Sequence, residues 1–233
     1  MVSDGSYYLI SNPKYSQILY HIMSQPWMGG AKFPSVRRTS TSRYVALVAV
    51  LTALFTAYGY VSSVELRAIT HSVDLFFLLP AFFAILISLT GKKWGGTILA
   101  TIIGLIFLGT PSAGSNFSPH ITASVIVNGL VFDLYLQHSG GSLLDPSRKH
   151  LVVAGTLGNL AMAPTGLLIL QAVFGISVLG PSPTATWEIA LIGDTLVGAA
   201  GAFFGTIIVE RVKGLQARRV LEAESAVRVR VQT

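Results

Sequence analysis

Two groups of residues in this chain have types and positions suited to chemistry. One lies inside long apolar runs: Asp194, Asn159, and the series His120, Ser124 and Asn128, which steps by four along a single run. The other lies between runs: Glu65, Arg67, His71 and Asp74; then Ser112, Ser115 and Asn116; then Ser182, Thr184, Trp187 and Glu188. A carboxylate near the centre of an apolar helix costs about 2.5–3.5 kcal/mol on insertion scales, so Asp194 is expected to face protein or a cavity. It follows Trp187 by about seven residues, roughly 10 Å along a helix. Trp187, Asp194, Gly198, Gly201 and Gly205 share one stripe at helical spacing. An aromatic and a carboxylate on one face suit a neutral or cationic ring that stacks and donates hydrogen bonds. The competing role for Asp194 is a structural hydrogen bond or ion pair, and for Asn159 a bond to a neighbouring helix.

Catalysis has less support in the sequence. His71 with Asp74, and separately His120, Glu65 and Glu188, are residue types that bind metals or transfer protons, but they stand at scattered positions. The chain has no H-E-x-x-H, G-x-S-x-G or Walker sequence and no cysteine. Catalytic residues, metal and cofactor are therefore not expected.

Composition says what must hold these residues in place. The chain is 52% hydrophobic and only 11% charged, roughly half the charged fraction of a soluble domain. Six apolar runs stand out, at about 43–60, 72–89, 94–108, 120–136, 151–174 and 185–209. Lys92 and Lys93, Arg148 and Lys149, the cluster Lys32 to Arg43, and Arg211 to Arg219 lie in alternate connections or at the two ends. The intervening connections carry only Arg67. This asymmetry predicts six crossings with both ends cytoplasmic, and reads the basic balance as orientation in a lipid bilayer rather than nucleic-acid binding. The expected fold is an all-α, multi-pass membrane protein of the plasma membrane. Residues 1–42 are expected to form an N-terminal cytoplasmic segment, 43–213 the six-helix domain, and 214–233 a cytoplasmic tail that continues the last helix before a frayed or surface-lying end.

The first run, RYVALVAVLTALFTAYGY over Arg43–Tyr60, carries Ala49, Ala53 and Ala57 at every fourth position. Such a ridge of small residues lets another helix approach closely in lipid; it serves either the chain's own bundle or a partner. This stretch, with the helix count and loop style over roughly Arg43 to Lys213, resembles the substrate-specificity subunits (S components) of energy-coupling-factor vitamin transporters. The resemblance implies that Ala49 and Ala53, with Ala57 continuing the ridge, dock a transmembrane coupling subunit bound to ATPase subunits. It also implies that three outer loops and the outer helix halves enclose one vitamin-sized ligand. Glu65, His71, Asn116, His120, Asn159, Trp187 and Asp194 are then the expected substrate-binding residues. Acids outnumber Arg67 in that vestibule, which favours a neutral-to-cationic heteroaromatic ligand. The alternatives are a stand-alone small-molecule carrier, an intramembrane enzyme, or an assembly subunit of a larger membrane complex.

Overall fold

Serines and glycines punctuate the apolar runs, and several of the helices begin or end at them. Ser40 accepts a hydrogen bond from the Arg43 N–H at 3.3 Å, and Ser147 accepts one from the His150 N–H at 3.4 Å, each satisfying an open donor at a helix start. Gly175, with φ 59°, closes the helix that Ser147 opens. The computed structural model describes residues 40–62, 73–109, 118–140, 143–175 and 183–232, without the side chains of 73, 174, 183–187, 189–190 and 217–232. These residues form six helices: α1 (Thr41–Val61), α2 (Val73–Thr90), α3 (Gly95–Leu108), α4 (Pro119–His138), α5 (Arg148–Phe174) and α6 (Pro183–Gln232).

Four stretches are long and apolar enough to cross a membrane: Thr41–Val61, Pro119–His138, Arg148–Val173 and Leu191–Gln216. Helices α2 and α3 are apolar but shorter. The 14 residues of α3 rise roughly 21 Å, against a hydrocarbon thickness of about 30 Å. The chain is thus an all-α protein with the build of a helical membrane protein. The six helices match the six apolar runs closely; α6 departs most, continuing as backbone helix to Gln232, well beyond the apolar run.

Helix α2 is the hub and packs on each of the other helices. Its Leu79, Phe83, Leu86 and Ile87 are almost wholly enclosed, together with Leu99 and Ile103 of α3 and Phe132 of α4. Phe83 meets Phe132 edge-on, ring centroids 5.4 Å apart. The closest helix approach runs along glycines of α6: a methyl group at Gly201 would strike the Phe77 carbonyl of α2, and one at Gly198 would lie 2.5 Å from the Gly155 carbonyl of α5. Helix α1 sits at the edge, mainly on α2 and α3. Phe55 secures it, edge-on to Phe82 at 6.1 Å and to Phe107 at 5.8 Å. The Ser62 hydroxyl also donates to Asp74 at 2.5 Å.

At the opposite end of the bundle from Ser62, the short α2–α3 connection puts Gly91 at φ 61° and Trp94 at φ 62°. Trp94 stands at the N-cap of α3 and supplies no capping hydrogen bond. Asp133 of α4 does so instead, accepting from the N–H groups of Gly96 at 3.2 Å and Thr97 at 2.7 Å and from the Thr97 hydroxyl at 2.8 Å. Nearby, Glu210 of α6 pairs with Arg148 at 2.5 Å, and Lys213 with Asp145 at 2.8 Å. Both pairs are solvent-exposed and contribute little individually.

Candidate functional site

Helices α2, α4, α5 and α6 diverge at one end to leave a cavity of about 310 Å³. That lies at the small end of ligand pockets. The cavity lies where α4 begins and α5 ends, away from the ends that carry Lys92, Lys93 and Arg148. Most of its wall is apolar, with Phe76 of α2 and Met162, Leu167 and Leu170 of α5 prominent. Its polar side chains are His120 and Ser124 of α4 and Asp194 of α6.

These side chains reach the cavity for local reasons. His120 and Ser124 are one turn apart and so share a face of α4. The Ser124 hydroxyl donates to the His120 carbonyl at 2.6 Å, and Gly166 of α5 faces it without a side chain. Asp194 stands on the same stripe of α6 as Gly198, Gly201 and Gly205. The glycines bring that stripe against α5 and α2, so Asp194, one turn beyond the last close approach, opens into the gap above them. Its carboxylate makes no hydrogen bond or ion pair among the described residues. Charged groups within membrane helices ordinarily pair or face a water-filled cavity, and this one faces the cavity.

Asn159 has a different placement from the one expected of a ligand contact. It is fully enclosed at 0% exposure and is not part of the cavity wall. Its Nδ2 donates to the backbone carbonyls of Phe76 and Asp194, each at 3.0 Å. Its Oδ1 accepts from Asn128 Nδ2 at 2.7 Å, and the same Asn128 nitrogen also points at Met162 Sδ, 3.4 Å away. Of the two roles open to Asn159 from sequence, the structure shows the bond to neighbouring helices. Asn128, third member of the polar series on α4, lies one turn below the cavity for the same purpose.

Of the other expected binding residues, Glu65, His71 and Asn116 lie outside the described residues, and Trp187 is placed only as backbone at the start of α6. The structure therefore brings together His120 and Asp194 around one cavity, with Asn159 beneath it. Phe76, Ser124 and Met162 also contribute to the wall. Ser124 was visible in the sequence as part of the i, i+4 series, whereas Phe76 is one of many apolar residues in its run and carries no signal of its own. Ala49, Ala53 and Ala57 all lie on the exposed side of α1, beside exposed Val45, Val50 and Leu54, so that ridge is not used to pack the chain's own bundle. No group of three or more metal-binding side chains occurs among the described residues. No family model matches the chain, and no curated protein or solved structure matches it.

Proposed function

We propose that this protein is a membrane-embedded substrate-binding subunit that captures a small neutral-to-cationic heteroaromatic molecule, a vitamin or vitamin precursor, from the outer side. The observation that carries this reading is the Asp194 carboxylate, without a partner among the described residues, on the wall of an otherwise largely apolar cavity of about 310 Å³. A ring bearing an amine or amidine fits it: the apolar wall with Phe76 takes the ring face, Asp194 takes the donor, and His120 and Ser124 add polar contacts. An anionic ligand would bring its charge against Asp194, with no cation among the cavity's lining residues.

On this reading all six helices lie in the plasma membrane and both ends are cytoplasmic, so the cavity faces outward. The resemblance to energy-coupling-factor S components supplies the remaining elements. A transmembrane coupling subunit and its ATPases would provide energy, which agrees with the lack of a Walker sequence. The outward-facing ridge Ala49, Ala53 and Ala57 on α1 would receive the coupling subunit, and the chain itself would not be an enzyme.

The test is ligand stabilisation of the purified protein. Thiamine and aminopyrimidines are compared with biotin and pantothenate; a ligand at 100 times its Kd raises stability by about 2.7 kcal/mol. The expected result is a shift with the cationic or neutral rings that Asp194→Asn largely removes for the cations. A preference for the carboxylate vitamins, unchanged by Asp194→Asn, overturns the reading.

A further inference from the structure

Directly beneath the cavity, each of its four helices places one residue a single turn deeper than a wall residue: Pro80 below Phe76, Asn128 below Ser124, Asn159 below Ala163, and Gly198 below Asp194. Three of these residues make sense together. Pro80 lies inside α2 and has no N–H, so the carbonyl four residues earlier, that of Phe76, loses its helical donor. An open carbonyl in a membrane interior must find another donor. Asn159 supplies it from α5 at 3.0 Å and spends its second amide hydrogen on the Asp194 carbonyl of α6, also at 3.0 Å. The amide's orientation follows from this, since two carbonyls require the nitrogen and the Asn128 nitrogen requires the oxygen. Gly198 leaves the room: a methyl group there would lie 2.7 Å from Asn159 Cβ.

The two carbonyls belong to the two cavity residues with the most distinctive chemistry, the ring of Phe76 and the carboxylate of Asp194. Asn159 holds both by their backbones, which leaves the ring and the carboxylate themselves available. We propose that Asn159 is the positioning residue of this cavity: the carbonyl opened by Pro80 lets one buried amide set the separation between the Phe76 ring and the Asp194 carboxylate, and so set the preference for a cationic over a neutral ring. This rests on the ligand-binding reading above. It differs from simple helix cementing, which would weaken all ligands alike when removed.

The experiment uses the purified full chain and two probes of the same shape, benzylamine (cationic) and benzyl alcohol (neutral), titrated by ligand-detected NMR. It is combined with a thermal-unfolding cycle of Pro80→Ala, Asn159→Leu and the double variant. Alanine at position 80 restores the N–H for the Phe76 carbonyl. Asn159→Leu should therefore lower Tm by about 2–4 °C more in the wild-type background than in Pro80→Ala, the shift that roughly 1 kcal/mol produces in a chain of this size. The preference for benzylamine should fall about tenfold in Asn159→Leu, a difference of 1.4 kcal/mol, while benzyl alcohol binding changes much less. If Asn159→Leu alone does not fold, the Pro80→Ala/Asn159→Leu protein carries the same measurement, against Pro80→Ala as reference. Additive Tm shifts overturn the shared-carbonyl arrangement, and an equal loss for both probes overturns the positioning role. If Asp194→Asn leaves benzylamine binding intact, the cavity reading itself has failed, and that outcome is separate from any result at Asn159.

Discussion

The carboxylate of Asp133 caps a helix other than its own: Thr97, 36 residues earlier, donates both its backbone N–H and its hydroxyl to one Asp133 oxygen, at 2.7 and 2.8 Å. A carboxylate at a helix N-terminus also meets the positive end of the helix dipole. Asp133→Ala leaves buried donors at the start of α3 open, at about 1–3 kcal/mol, and should lower the unfolding temperature of the purified protein clearly. Asp133→Asn keeps the size and one acceptor and should cost less. Equal stability of Asp133→Ala and wild type would show that α3 does not depend on this cap.

Gly201 and Gly193 offer a matched comparison on α6. A methyl group at Gly201 meets the Phe77 backbone carbonyl, whereas at Gly193 nothing lies within 4 Å. Gly201→Ala should destabilise by about 1–3 kcal/mol, the usual cost of overpacking. Gly193→Ala should be neutral or gain up to about 1 kcal/mol from helix propensity. Thermal unfolding of the two single variants distinguishes them, and the opposite order would contradict the α2–α6 contact.

Ala53 lies on the exposed side of α1, so Ala53→Trp should insert and bind ligand as the wild type does, with stability within about 0.5 kcal/mol. Docking of a partner helix needs that side to stay shallow. If the proposed transport role holds, uptake in cells supplied with a coupling subunit and its ATPases should stop, and the coupling subunit should no longer co-purify. Normal uptake by a fully expressed Ala53→Trp protein would remove α1 as the docking face.

The proposed orientation is checked with an impermeant thiol reagent on intact cells, since the chain has no cysteine of its own. A cysteine at the exposed position Tyr60 should label from outside. One at Lys149, exposed beside the start of α5, should label only after the membrane is opened. Labelling of Lys149→Cys in intact cells would invert the topology.

The helices were readable because their signal is local. Each is an unbroken apolar run, and serines or glycines mark several ends, so the runs from about 43–60 and 120–136 reappear as Thr41–Val61 and Pro119–His138. The glycine stripe on α6 and the polar series on α4 were equally visible, because helical spacing alone puts their members on one face. Partners were not. Nothing near Asp133 in sequence shows that it caps α3, nor does anything near Asn159 show that Phe76 needs its amide, because both needs arise on another helix. Trp94 at φ 62° was hidden for a similar reason. The left-handed backbone disfavours a bulky side chain, and it is adopted where the tight α2–α3 turn meets a cap supplied by α4.

The proline in α2 also makes the completion of that helix depend on a later part of the chain. The Phe76 carbonyl is 83 residues ahead of the amide that satisfies it, so when α2 emerges from the ribosome its hydrogen-bond complement does not yet exist. Until α5 is made, α2 is a helix with an open acceptor, and if α2 lies in the membrane, as proposed, the hydrocarbon interior has no donor for it. On that reading the nascent chain keeps the carbonyl near water until α3, α4 and α5 are completed. The helix that packs on all the others thus has its hydrogen bonds completed only once α5 is in place.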